Sequence, residues 1–228
     1  MLFAAVYLQD LNNFRNFAKI SEKIKANNMT QKTAKQVVAD KYRRTRKKSL
    51  LFASDFPQYS IEYIGDILSS YVNEGKLIRL ANGVYLKTTV TRFGPVYPSH
   101  AEIAEAISRR DHATVLMAGK AAENYFGLST QVPMKIVFLT SGSARKLQVG
   151  NTEMEFKRGV PRNFAFKDKT IATLCLALKS IGNGHVTPEQ EQTLKDFLKS
   201  YTLTHDIRED LNLTPLWMRT LIKKLLRA

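Results

Sequence analysis

The segment that decides the fold runs from Ser60 to Lys87 and reads SIEYIGDILSSYVNEGKLIRLANGVYLK. Its first half predicts an amphipathic helix, because apolar residues recur there at helical spacing. The residues that share this face are Ile61, Ile64, Leu68 and Val72. Gly75 follows where a left-handed residue commonly ends a helix, and Lys76 comes directly after it. The helix is therefore predicted to stop at Gly75.

The second half of the segment predicts a β-hairpin. Leu77-Ile78 and Val84-Tyr85-Leu86 are short runs of β-forming residues. The intervening Ala81-Asn82-Gly83 contains the Asn-Gly pair typical of tight hairpin turns. A helix followed at once by a small hairpin is the layout of a winged helix-turn-helix. We place this unit at residues 50–92 and expect it to bind DNA.

Composition supports a polyanionic partner. The chain has 228 residues and a formal net charge of +15. Residues 1–95 hold 16 Lys and Arg against 7 Asp and Glu, so their net charge is +9, while residues 96–228 carry +6. Such an excess favours DNA, RNA or an anionic surface. Leu2 to Leu8 is apolar but too short to span a membrane, and no membrane partner is expected.

The single cysteine, Cys175, excludes an internal disulfide and a cysteine-based zinc site. A reducing, cytoplasmic compartment is the natural expectation. The four histidines are scattered without metal-ligand spacing, and no nucleotide-binding glycine motif is present. We therefore expect no metal site, no cofactor and no catalytic residue.

Three regions are predicted along the chain. Residues 1–49 form an N-terminal helical extension that ends in a basic run, in which six of the eight residues 41–48 are Lys or Arg. The winged helix-turn-helix follows at 50–92, and the segment Phe93–Pro98 predicts a boundary. Residues 96–228 predict an α+β domain with a small antiparallel sheet and a helical C-terminal half. Its predicted strands are Lys135–Thr140, Arg145–Val149 and Met154–Arg158.

The candidate DNA contacts fall into three groups. The basic run before the motif comprises Arg43, Arg44, Arg46, Lys47 and Lys48, which suit phosphate contacts. The polar candidates on the helix are Ser60, Tyr63 and Ser70, and those on the wing are Lys76, Arg79 and Asn82. The outward side of the helix has no Lys or Arg, and it carries Glu62 and Asp66. The alternative is a protein-docking module beside a solvated basic helix face.

Three segments in order carry a family resemblance: RLANGVYLK from residue 79, GKAAENYFGLSTQVP from residue 119 and VFLTSGSARKLQVGNTEMEFKR from residue 137. Together they resemble the AbiEi-type antitoxins of bacterial abortive-infection, or type IV, toxin–antitoxin pairs. The resemblance covers roughly residues 50–225. It implies an antitoxin that represses its own operon through the winged helix and counters a nucleotidyltransferase-like toxin. The long first 45 or so residues and the acidic helix depart from the family pattern.

A second basic face is predicted on the C-terminal domain. It would comprise Lys120, Arg145, Lys146, Lys157, Arg158 and Arg162. Such a face could extend the DNA footprint or bind an RNA or an acidic protein surface. The alternative is scattered surface charge on strands that alternate inward apolar and outward polar residues.

Two other functions are compatible with parts of the sequence. One is a nucleic-acid-binding regulator without a toxin partner. The other is a magnesium-dependent nucleotidyltransferase, suggested by Gly142-Ser143 followed by Glu153 and Glu155. Several features disfavour the enzyme. Glu153 stands where nucleotidyltransferases normally have Asp, and the segment before it predicts a strand and a turn where a helix is expected. Lys157 and Arg158 also follow the two acids closely. A salt-linked surface strand explains these carboxylates more simply.

Overall fold

The computed structural model describes residues 32–202 and 207–227. The described part contains eight α-helices and three small sheets, so the prediction of a mixed α+β fold is confirmed. The helix expected within residues 1–31, the first part of the N-terminal extension, lies outside the described residues. No helix in the described ranges is long and apolar enough to cross a membrane.

The first unit contains two helices and a three-stranded sheet. Its elements are α1 (Ala34–Arg44), β1 (Ser49–Phe52), a 3-10 turn (Ala53–Asp55), α2 (Ile61–Asn73), β2 (Ile78–Ala81) and β3 (Val84–Lys87). The strand order is β1-β3-β2, and both pairings are antiparallel. The central strand is therefore the last one in sequence.

Local sequence explains where these elements begin and end. Thr33 and Gln36 form a reciprocal capping box at the start of α1, and the Ser60 hydroxyl accepts a hydrogen bond from the backbone N–H of Tyr63 at the start of α2. Gly75 and Gly83 both have positive φ angles, at 71° and 69°. Gly75 follows the end of α2, and Gly83 completes the β2–β3 turn, as predicted.

Strand β3 is buried on both faces. Tyr85 points to one side, where it packs with Leu51 and the apolar faces of α1 and α2. Val84 and Leu86 point to the other side and pack in a cluster with residues far along the chain. This explains why β3 is a continuous apolar run, since alternation is expected only when one face meets water.

The predicted boundary at Phe93–Pro98 forms part of a second hairpin. Strands β4 (Thr89–Thr91) and β5 (Gly94–Val96) pair in antiparallel fashion directly after β3. The Thr91 hydroxyl accepts a hydrogen bond from the Phe93 N–H, and Gly94 has a φ of 104°. A Phe-Gly-Pro sequence therefore makes a tight turn here, where the sequence predicted only a break.

The next sheet is mixed and has four strands. Helix α3 (His100–Asp111) precedes it, with the predicted Ser99 cap. The strands are β6 (Val115–Ala118), β7 (Lys135–Thr140), β8 (Arg145–Val149) and β9 (Thr152–Arg158), with helix α4 (Gly119–Tyr125) between β6 and β7. The spatial order is β6-β7-β9-β8. Strands β6–β7 and β8–β9 are antiparallel as predicted, but β9 inserts beside β7 in parallel, so the predicted antiparallel sheet is a mixed one.

The C-terminal part is helical. Its elements are a 3-10 turn (Pro161–Phe164), α5 (Lys169–Ile181), α6 (Pro188–Ser200), α7 (Ile207–Asn212) and α8 (Leu216–Arg227). The buried Asp168 carboxylate caps α5 by accepting hydrogen bonds from Thr170 and Ile171, and it also accepts one from the Tyr201 hydroxyl. These helices share a separate apolar cluster with α4.

One apolar cluster crosses the predicted domain boundary. It joins Leu86 of the three-stranded sheet to Ile107 of α3 and to Phe156 of the four-stranded sheet. At the edge of this cluster, Asp111 pairs with both Arg110 and Arg145, at 2.5 Å each. The division at residues 92 and 96 stays a prediction, but the two parts bury apolar surface against each other.

Removing side-chain volume at Leu86 tests this shared core. Leu86 is completely buried, and we expect Leu86→Ala to lower the free energy of unfolding by about 2–5 kcal/mol because it leaves a cavity. Thermal and denaturant unfolding of the full chain should remain a single transition at a lower midpoint.

The matched control is Leu216→Ala, which deletes the same atoms from a side chain that is 75% exposed. Its effect should stay within about 0.5 kcal/mol. Two separate transitions in Leu86→Ala, only one of them shifted, would show that the parts fold independently.

Candidate nucleic-acid interface

The basic run continues past the end of α1. Arg43 and Arg44 lie in the last turn of the helix, Thr45 is its C-cap, and the side chains of Arg46 and Lys47 are exposed in the turn that follows. Cations near a helix C-terminus suit its dipole, which is a structural reason for the first two. That reason is weaker for Arg46 and Lys47, which lie outside the helix. We call the five predicted residues Arg43, Arg44, Arg46, Lys47 and Lys48 the basic end.

Lys87 fixes the backbone that carries the basic end. Its ammonium donates hydrogen bonds to the carbonyl oxygens of Tyr42, at 2.6 Å, and Thr45, at 2.9 Å. The same ammonium lies 4.1 Å from the centre of the Tyr42 ring. The Lys87 carbonyl accepts a hydrogen bond of 2.7 Å from the Lys48 N–H. The last residue of β3 thus satisfies two carbonyl groups at the end of α1, and its own carbonyl holds the residue before β1 beside it.

Aromatic contacts bring the ends of α1 and α2 together. The rings of Tyr42 and Tyr71 meet edge to face, with centroids 5.1 Å apart. Lys76, just beyond α2, lies 5.2 Å from the centre of the Tyr71 ring and pairs with Glu74 at 2.5 Å. The hydrogen bond to Glu74 raises the pKa of Lys76. Lys76 therefore belongs to the same end of the unit as the basic end.

Most of the basic end lacks an acidic partner. Arg43 pairs with Asp40, which also pairs with Lys32, and these hydrogen bonds lower the pKa of Asp40. Within residues 32–202 and 207–227, no carboxylate lies within ion-pair distance of the remaining four. These are Arg44, Arg46, Lys47 and Lys48. The pKa of Glu102 is lowered mainly by its hydrogen bonds with Ser99 and in part by the nearby charge of Lys48, so Lys48 has an acidic neighbour. The exposed Arg44, Arg46 and Lys47 keep their attraction for phosphate.

The exposed side of α2 is less suited to phosphate. Ser60 caps the helix, and the Ser70 hydroxyl donates to the Ile67 carbonyl, so both predicted polar contacts already have local hydrogen bonds. Tyr63 is exposed, and so are the acidic side chains of Glu62 and Asp66. This surface is acidic and partly aromatic, as the sequence indicated.

Of the other two wing residues, Asn82 lies at the opposite end of the sheet, and the side chain of Arg79 is directed towards it. Strand register pairs Ser49 with Lys87 at one end and Ala81 with Val84 at the other. Val84 lies about 10 Å from Lys87 along β3, at about 3.3 Å per residue, and Asn82 lies beyond Val84 in the turn. The side chain of Arg79 donates to the Asn82 side chain. The structure brings Lys76 close to the basic end but does not place Arg79 and Asn82 there.

The predicted second basic face is not gathered on one surface. Adjacent strand residues point to opposite faces, so Arg145 is separated from Lys146 and Lys157 from Arg158. Arg145 is held by Asp111, and burial, followed by the nearby charge of Arg110, lowers its pKa. The other two lie on different elements: Lys120 pairs with the buried Glu123 at 3.0 Å, and Arg162 donates to the Leu213 carbonyl at 2.9 Å. The alternative of scattered surface charge describes this arrangement better.

Glu153 and Glu155, the carboxylates of the nucleotidyltransferase alternative, form ion pairs with lysines on the same and neighbouring strands. Lys135 contacts Glu153 at 3.0 Å and Glu155 at 2.8 Å, and Lys146 and Lys157 approach them from either side. The hydrogen bonds to Lys135 lower the pKa of both glutamates and raise that of the lysine. Across the part of the chain that the structure describes, no group of three or more metal-binding side chains is found.

Sequence reasoning missed the residues that hold the basic end. Lys87, Tyr42 and Tyr71 were not predicted to have a role. A signal was present in the order of the elements, because a lysine that ends a central strand can reach a neighbouring helix C-terminus. The exposed Arg92 and Phe93 at the tip of the β4–β5 hairpin were also missed, since that segment was predicted as a boundary.

Comparison with known proteins gives a family but no activity. No curated protein matches the chain. A family model, described as a family of unknown function (DUF6088), matches residues 37–205. The match extends from within α1 through all three sheets and past the end of α6, so it includes the basic end and the shared core. The chain therefore belongs to the DUF6088 family of unknown function.

Proposed function

We propose that the chain binds double-stranded DNA through a winged helix-turn-helix formed by α1, β1, α2, β2 and β3. The order of these elements and the β1-β3-β2 sheet support this proposal. The 3-10 turn at Ala53–Asp55 takes the place of the usual second helix, and α2 takes the place of the recognition helix. The observation that carries the proposal is the group of exposed cations at the end of α1, of which Arg44, Arg46 and Lys47 form no ion pair in the described ranges, with the Glu74-paired Lys76 beside them at the end of α2.

In this proposal the basic end contacts the phosphate backbone. Each neutralised phosphate releases condensed counterions. The logarithm of the binding constant therefore falls linearly as the logarithm of the salt concentration rises. Lys87 and the Tyr42–Tyr71 contact limit the motion of this surface before DNA arrives. A surface that is already ordered loses less conformational entropy on binding.

Base reading would come from α2. Its exposed face offers Tyr63 and Asn73 together with the carboxylates of Glu62 and Asp66. Carboxylates can accept hydrogen bonds from cytosine amino groups, whereas Asn pairs well with adenine. The carboxylates of Glu62 and Asp66 also repel phosphate. Helix α2 must therefore enter the groove with these side chains directed away from the DNA backbone. This arrangement predicts modest affinity and leaves most of the binding energy to the basic end.

Neutralising three cations tests the proposal. Arg44→Gln, Arg46→Gln and Lys47→Gln together should reduce the slope of log affinity against log salt by about 2–3 units, because each phosphate contact contributes about 0.9. The measurement is binding of the full chain to its own upstream DNA and to unrelated DNA across a salt series.

The matched control removes three charges elsewhere, with Lys195→Gln, Lys199→Gln and Lys223→Gln on α6 and α8. It changes net charge equally and should leave the slope nearly unchanged. Equal slopes for the wild type and the first variant would remove the basic end from the interface. Equal affinity for both DNAs would argue against base reading by α2.

We propose as a second function that the chain is an antitoxin that represses its own operon, as the AbiEi resemblance implies. One observation favours a protein partner near the segment that carries this resemblance. Three apolar side chains there, Tyr125, Val132 and Met134, are 61%, 85% and 71% exposed. Exposed apolar groups mark an interaction surface when they form one patch, and Asn124 holds this loop beside Tyr125 by donating to the carbonyls of Ser129 and Gln131.

Co-expression with the product of an adjacent nucleotidyltransferase-like gene tests this second function. The wild-type chain should restore growth, and Val132→Glu with Met134→Glu should abolish the rescue by placing charge in the contact. The control is Val90→Glu, at a 66% exposed position on the β4–β5 hairpin. If the wild-type chain gives no rescue, or the double variant rescues fully, the surface has no antitoxin role.

A further inference from the structure

A cavity of about 530 Å³ lies among the C-terminal helices, and none of the residues proposed to contact DNA lines it. It is formed between the 3-10 turn at Pro161–Phe164, the C-terminal half of α5 and the segment that leads into α8. This volume falls within the range of small-molecule sites, which is about 300–1,000 Å³. The cavity therefore has room for one compact organic ligand.

The interior of the cavity is apolar. Phe166, Leu176, Trp217 and Met218 contribute to the lining, and Cys175 lies among them. Burial raises the pKa of the Cys175 thiol to about 12, so this group is neutral and behaves as a small apolar side chain. Trp217 is only partly buried, which leaves part of its indole available to a ligand.

The rim of the cavity is cationic. Arg162 and Lys179 both belong to the lining and are exposed. Of the described residues that line the cavity, none is Asp or Glu. Neither cation forms an ion pair with a carboxylate in the described ranges. An apolar pocket with two unpaired cations is complementary to an apolar body that bears one negative charge.

The wall of the cavity is held in place by hydrogen bonds. Arg162 donates to the Leu213 carbonyl at 2.9 Å. Arg219 donates to the carbonyls of Leu211, Asn212 and Thr214, at 3.1, 3.3 and 3.4 Å. The connection between α7 and α8 is thus fixed from two sides. A pocket with fixed walls is preformed, as ligand sites usually are.

We infer that this cavity binds a small aromatic carboxylate, with the ring against Trp217 and the carboxylate near Arg162 and Lys179. Aromatic rings gain from stacking on indole as well as from burial. The carboxylate gains from a guanidinium and an ammonium that form no ion pair with an acid in the described part of the chain. This site is independent of DNA binding, and its test does not depend on the outcome for the basic end.

The test uses the single tryptophan of the chain as a reporter. Labelling with 5-fluorotryptophan gives one ¹⁹F resonance, because Trp217 is the only tryptophan. Titration of the full chain with 2-naphthoate should shift this resonance in a saturable way. The neutral analogue 2-naphthalenemethanol should bind roughly tenfold more weakly, since it lacks the charge that the rim attracts.

Two variants separate charge from structure. Lys179→Gln should weaken the binding of 2-naphthoate roughly fivefold and leave the binding of the neutral analogue unchanged. Arg162→Lys keeps the charge and should weaken the binding of 2-naphthoate less than Arg162→Gln does. The matched control is Lys199→Gln, an exposed lysine on α6, which should have no effect.

The inference is overturned if the Trp217 resonance does not respond to 2-naphthoate. It is also overturned if the acid and the neutral analogue bind equally, or if Lys179→Gln and Lys199→Gln affect 2-naphthoate equally. The first result would show that the cavity takes no such ligand. The other two would show that the cations do not select the ligand's charge.

Discussion

The burial of strand β3 on both faces is the constraint on which the rest of the structure depends. Tyr85 is covered by α1 and α2, while Val84 and Leu86 are covered by the second part of the chain. Each of these side chains gains about 1.5–3 kcal/mol from leaving water. Because one strand serves two cores, neither the helices nor the second sheet can move without exposing part of it. The orientation of the proposed DNA-binding unit is therefore set by the remainder of the protein.

The residue after this apolar run links the core to the charged surface. Lys87 continues the strand, but its ammonium leaves the sheet and binds the end of α1. Displacement of β3 would therefore also displace the turn that carries Arg46 and Lys47. These hydrogen bonds hold the backbone at the end of α1, from which the side chains of Arg46 and Lys47 extend into solvent. Side-chain hydrogen bonds to backbone carbonyls also fix the C-terminal part, where Arg219 and Arg162 hold the wall of the cavity.

Local features of the fold could be predicted from the sequence, and non-local ones could not. Helix α2 was predicted because its apolar spacing, its Ser60 cap and Gly75 all agree, and Asn82-Gly83 specified the turn that follows. Strand periodicity likewise located β7 and β8. The parallel pairing of β7 with β9 was missed, since single strands do not show which neighbour they choose. The β4–β5 hairpin was missed because Phe-Gly-Pro is as typical of a linker as of a turn.

The candidate site shows the same limit. The basic end was predicted directly, because five cations close together in sequence remain close in space. The second basic face failed to assemble because its members come from two strand faces and two other elements, and their partners Asp111 and Glu123 could not be identified from sequence. Charge counts alone do not show which cations are neutralised. In the described ranges, the exposed cations without an ion pair include Arg44, Arg46 and Lys47 near α1, and Arg162 and Lys179 near Trp217.

Membership of a family of unknown function leaves the activity to be established by experiment. The central claim is that DNA meets the protein at the C-terminal ends of α1 and α2. Hydrogen–deuterium exchange of the full chain with and without its upstream DNA tests this claim most directly. Exchange should slow on DNA binding in peptides that cover residues 42–48 and 61–77, and exchange in the four-stranded sheet should not change. Slowing confined to other segments, with DNA demonstrably bound, would contradict it.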